Sequence, residues 1–136
     1  MEEIEMIVIT NNPKVKEYIQ KYQLNKRFSL LWVDGFTEDV LEKVRDLCHF
    51  GHKLLTHPLT GSIKPNQTPY KTVVVDHLEQ EIDFNSILIA ENSYFKTLEL
   101  LTKRPRPKET ELFLDDFAVI DLDFFKSFLT SLGLII

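Results

Sequence analysis

Two short stretches carry more hydrogen-bonding side chains than ordinary surface turns need. Thr10, Asn11 and Asn12 follow an apolar run, and residues 57–70 (HPLTGSIKPNQTPY) hold His57, Thr60, Ser62, Lys64, Asn66 and Tyr70 among prolines and a glycine. Hydroxyls and amides donate hydrogen bonds and Lys64 adds a cation, a set that suits a carboxylate or a phosphate. His57 adds a donor that responds to pH, and the prolines preorganise the segment. A structureless connection of this length is uncommon inside a small domain unless it binds something or moves.

Other chemistries find less support. A serine nucleophile needs a base and a Gly-x-Ser-x-Gly elbow, and Gly61-Ser62 is only a fragment of one. Neither glycine-rich phosphate loop occurs, so nucleotide binding has no motif and no cofactor is expected. His49 and His52 stand three apart near a helix end, too few for a zinc site, and no metal is expected. Cys48 falls on an apolar helical stripe and is the only cysteine, which excludes an intrachain disulfide. The pairs Asp115/Asp116 and Asp121/Asp123 read as helix caps, and the basic run 103–108 (KRPRPK) as a solvated connector.

The elements that must place these side chains follow from pattern. Residues 4–10 (IEMIVIT) form a strand buried on both faces. Asn11 or Asn12 caps a helix opened by Pro13, with Val15, Tyr18, Ile19 and Tyr22 on one face. Residues 27–34 give a second strand. Thr37 caps a second helix bearing Val40, Leu41, Val44, Leu47 and Cys48, closed by Gly51. Residues 53–56 give a short third strand, 70–76 a fourth and 83–103 a helix; a last helix starts at Asp121. This order predicts one domain over residues 1–136, a three-layer α/β/α sandwich with a mainly parallel, Rossmann-like sheet of about four strands. Residues 57–69 are compatible with an antiparallel hairpin or with a crossing to another sheet position. Thr10, Asn11 and Asn12 then lie at a strand's carboxyl end, where open sheets bind ligands; His57, Thr60, Ser62 and Lys64 join them if the third strand runs parallel to the first.

The chain has 136 residues, with 16 Lys and Arg against 21 Asp and Glu, and a net charge of -5 disfavours nucleic acid as a partner. No apolar run is long enough to cross a bilayer, and the start MEEIEMIVITNN has no basic segment before its apolar run, so neither a membrane partner nor a signal peptide is expected. The C-terminal segment 111–136 carries Phe113, Phe117, Phe124, Phe125 and Phe128, enough apolar surface to cover the sheet and also meet a second copy in a homodimer.

Residues 8–13 (VITNNP) and 51–71 (GHKLLTHPLTGSIKPNQTPYK) together resemble the GrdX family, small proteins encoded beside glycine, sarcosine and betaine reductase components of amino-acid-fermenting anaerobes. The likeness covers roughly residues 6–76. Its matching positions are Thr10, Asn11, Asn12 and Pro13, then His57, Pro58, Gly61, Ser62, Lys64, Pro65, Asn66 and Tyr70. The resemblance implies a cytoplasmic accessory role beside a reductase system and carries over no catalytic residue. Two functions are therefore expected to compete. One is a non-catalytic protein that binds a small anionic metabolite or a reductase subunit through residues 57–70. The other is an enzyme acting on an anionic substrate with His57 as acid or base.

Overall fold

A computed structural model describes residues 4–59 and 63–134 of the chain. Its centre is β1 (Met6–Thr10), an apolar, β-branched strand with neighbours on both edges. Asn12 then turns the chain into α1 (Pro13–Lys21): its Oδ1 accepts the Lys14 N–H at 3.0 Å, and Pro13 fills a first-turn position that needs no donor. Val15 and Ile19 are the buried stripe of α1. The helix returns the chain to β2 (Phe28–Trp32), parallel to β1 and registered from Met6 opposite Phe28 to Thr10 opposite Trp32.

In α2 (Thr37–His49), Thr37 is the first helical residue rather than the expected cap. The Asp39 carboxylate accepts the Phe36 N–H at 2.8 Å instead, which leaves the Thr37 hydroxyl to donate to the Thr68 carbonyl at 2.9 Å. Val40, Leu41, Val44 and Cys48 are buried. Gly51 ends the turn beyond α2 at φ +101°, and a Cβ there would run into the backbone of Gln80.

The sheet departs from the expected four mainly parallel strands. It has three among the described residues, in the order β2-β1-β3, and β3 (Thr72–Asp76) is antiparallel to β1. The Rossmann-like expectation fails at residues 53–56. There the chain runs along the outer edge of β3 but forms only the Leu54–Val75 bridge. Thr56 explains the short pairing: its hydroxyl oxygen accepts the Val74 N–H at 3.0 Å, so a side chain caps the edge where a strand carbonyl would otherwise pair. Residues 57–71 thus join two antiparallel segments.

Helices cover both faces of this sheet. On one side Met6, Val8, Phe28 and Val74 pack with Val15 and Ile19 of α1 and with Phe125 and Leu129 of α4 (Leu114–Ser131). On the other, Ile9, Val73 and Val75 pack with the α2 stripe and Ala90 of α3 (Phe84–Lys103). α3 buries a small stripe, Ser86, Ala90, Ser93 and Thr97, while Phe84, Leu88 and Phe95 face outward. Small side chains let it approach α2 closely. The last helix begins at Leu114, not at Asp121: a 3-10 segment, Lys108–Phe113, runs straight into it, and Asp115 and Asp116 occupy the first turn, where the helix dipole favours acids. Asp121 is therefore mid-helix.

Candidate functional site

Asp121 sits on the buried stripe of α4 with Ala118, Phe125 and Leu129, and its carboxylate is bonded by side chains at the sheet end. Its Oδ2 accepts the Thr72 hydroxyl at 2.6 Å and the Asn12 amide at 2.9 Å. With its proton committed to Asp121, the Thr72 oxygen accepts from the Thr10 hydroxyl at 2.7 Å, and Thr10 in turn accepts the Asn12 backbone N–H at 3.0 Å. Four side chains from β1, its exit turn, β3 and α4 form one connected network. Burial pushes the Asp121 carboxyl above the ordinary range, against the bonds from Thr72 and Asn12 and the nearby charge of Lys71, which favour the anion.

Asn11 locks the neighbouring loops. Its amide donates to the carbonyls of Pro69 at 2.7 Å and Gly35 at 2.9 Å, and its oxygen accepts the Lys71 N–H at 2.9 Å. This places Lys71 at the entry of β3. There its side chain is partly withdrawn from water, which pushes the ammonium's pKa down while the Asp121 charge pulls it up.

Lys71 and Asp121 border one cavity of about 300 Å³ between β3 and α4, with Thr56, His57, Thr72 and Val74 on the sheet side and Phe124, Phe125, Ser127 and Phe128 on the helix side. The His57 Nδ1 accepts the Leu59 N–H at 3.1 Å, so the neutral ring carries its proton on Nε2. The cavity joins a half-buried cation, a buried acid and an imidazole donor to aromatic walls, a combination suited to holding a small charged molecule that also has an apolar part.

The expected site residues fall in different places. Thr10 and Asn12 support the cavity through the Asp121 network, Asn11 positions Lys71, and His57 lines the cavity. Lys64 is exposed; its carbonyl accepts from the Gln67 and Thr68 N–H groups. Asn66 is buried and donates to the Arg104 carbonyl at 3.1 Å, and Tyr70 lies beside a smaller crevice with Phe117 and Ile120. Ser62, with Thr60 and Gly61, lies outside the described residues.

Sequence reasoning missed Lys71, Thr72 and Asp121. The signal for Asp121 is its spacing, three after Ala118 and four before Phe125, which puts an acid on an apolar stripe. It also missed Arg106, which turns inward from the supposedly solvated basic run. Its guanidinium donates to the carbonyls of Pro65 at 2.8 Å and Thr68 at 3.0 Å and pairs with Glu38 at 2.8 Å. His52 is buried against the Asp76 carbonyl, His49 pairs with Glu91, and no three metal-ligating side chains gather among the described residues. Burial raises the Cys48 thiol to about 11.

These features define a small α/β protein whose three-stranded mixed sheet carries a charged cavity on its α4 side. The chain belongs to the GrdX-like protein family, whose family model matches residues 7–130. No curated protein and no solved structure matches it. No helix among the described residues is long and apolar enough to cross a membrane.

Proposed function

We propose that this GrdX-like protein is a non-catalytic, cytoplasmic accessory protein of an amino-acid reductase system that binds a small anionic metabolite in the cavity between β3 and α4. The observation that carries this reading is the placement of Lys71, a cation partly withdrawn from water, on the wall of a cleft of about 300 Å³ beside His57. A charged amine in such surroundings gains more from a carboxylate than it would in water, because the local dielectric is low. The reductase setting comes from the family resemblance. The binding segment shifts from the exposed Lys64 to the two ends of the 57–70 loop, where His57 and Lys71 lie.

Thermal unfolding tests this directly. A metabolite that binds only the native chain stabilises it by about 2.7 kcal/mol at a hundredfold excess over its Kd. Small carboxylates, acetyl phosphate and phosphate should include at least one compound that raises the melting temperature, and Lys71→Met should abolish that rise. No shift from any compound would overturn the metabolite reading and direct the search to a reductase subunit. Product formation that depends on His57 would replace the non-catalytic reading with an enzyme.

A further inference from the structure

The cavity wall holds charges of both signs. A bare carboxylate would gain from Lys71 but meet Asp121 as a like charge, and a bare amine would meet the reverse. A molecule with both charges a few bonds apart matches both groups. Asp121 borders the cavity while the Asn12 amide and the Thr72 hydroxyl bond its Oδ2 and the Thr72 backbone N–H also favours its anion. The network also fixes the carboxylate's position from behind, so a ligand need not order it. The remaining wall is apolar, with Phe124, Phe125 and Phe128 on α4 facing Val74 on β3.

We propose that the cavity takes an aliphatic α-amino acid as its zwitterion, the carboxylate on Lys71, the ammonium on Asp121 and the side chain against Phe124, Phe125 and Phe128. This rests on the reading that the cavity binds a small carboxylate-bearing metabolite, and it narrows the class. A space of about 300 Å³ is at the small end for a ligand site, which favours a single amino acid over a peptide or a nucleotide. The aromatic wall favours a branched aliphatic side chain over glycine, since each buried methylene adds about 0.8 kcal/mol.

Calorimetric titration of the full chain with L-leucine, glycine, 4-methylpentanoate and phosphate separates the possibilities. 4-Methylpentanoate is leucine without its amino group, so it keeps the carboxylate and the apolar part. Leucine should bind saturably, and glycine and 4-methylpentanoate each at least about tenfold more weakly. Asp121→Asn, which keeps an oxygen acceptor, should close most of the gap between leucine and 4-methylpentanoate. Should that variant fail to fold, the comparison of the two ligands on the unaltered chain decides alone. Equal or tighter binding of 4-methylpentanoate or phosphate would overturn the zwitterion while leaving the anion reading intact; binding by none of the four would overturn both.

Discussion

The side-chain amide of Asn12 donates to Oδ2 of Asp121 at 2.9 Å across 109 positions of sequence. The same amide reaches the Ala118 carbonyl at 2.9 Å, while the oxygen of that side chain caps α1. One asparagine therefore starts the first helix and holds the last one against the sheet. The carboxylate it touches is also part of the cavity wall, which couples the stability of the fold to the shape of the site.

Asn12→Ala removes the cap and two buried hydrogen bonds. A lost cap costs about 1 kcal/mol, and taking one buried donor each from Asp121 and the Ala118 carbonyl adds about 1–3 kcal/mol. Urea unfolding should show a lower midpoint by this sum, with an unchanged slope.

Asp121→Asn isolates the charge. Burial holds the native carboxyl above its ordinary value of 3.8, so between that value and the raised one the folded chain binds more protons than the unfolded chain. Stability of the unaltered protein therefore falls as pH rises through this window, and the charged form carries the cost above it. The variant should lack that dependence. Its midpoint relative to the unaltered protein should rise from low to neutral pH, and parallel profiles for the two proteins would refute the assignment.

Arg106→Ala should release residues 65–68. The guanidinium holds two of their carbonyls and pairs with the partly buried Glu38, whose charge would lose its partner; the cost is about 2–4 kcal/mol. Hydrogen exchange should speed up most at Gln67 and Thr68. Arg106→Lys should not restore protection, because a point ammonium cannot span three acceptors in the guanidinium's fixed geometry.

Cys48 should be inert in the native chain. With its thiol raised to about 11, roughly one molecule in a thousand is thiolate at pH 8, and the side chain is buried as well. Thiol-specific reagents should label it at the unfolding rate in buffer and promptly in denaturant. Prompt labelling of the folded protein would contradict its place in the α2 stripe.

Local patterns were legible where a single element decides the outcome. The Pro13 start of α1 with an asparagine cap before it, the Gly51 turn and the α2 stripe all follow from residue types at fixed offsets, while the choice of Asn12 over Asn11 does not. Strand direction was not legible, because residues 57–69 fit a hairpin or a crossover equally well; Thr56 settles the pairing by capping the Val74 N–H from a side chain, which propensity does not register. In α3 the fully buried stripe is Ser86, Ala90, Ser93 and Thr97, small and mostly polar side chains that apolar periodicity does not register. Of the candidate site, Thr10, Asn11, Asn12 and His57 were visible at the strand end and in the loop. Lys71 and Asp121 were hidden because each also reads as an ordinary residue of an element's end, one at the start of a strand and one at a helix cap. Only the tertiary fold brings them to one wall.

An amide NMR titration of the isotopically labelled chain with L-leucine tests the central claim most directly. Saturable shift changes concentrated at Lys71, Thr72, Val74, Asp121 and Phe124 through Phe128, and lost in Lys71→Met, are the expected result. Changes centred on the exposed Lys64 face, or none at all up to millimolar ligand, would contradict an amino-acid site between β3 and α4.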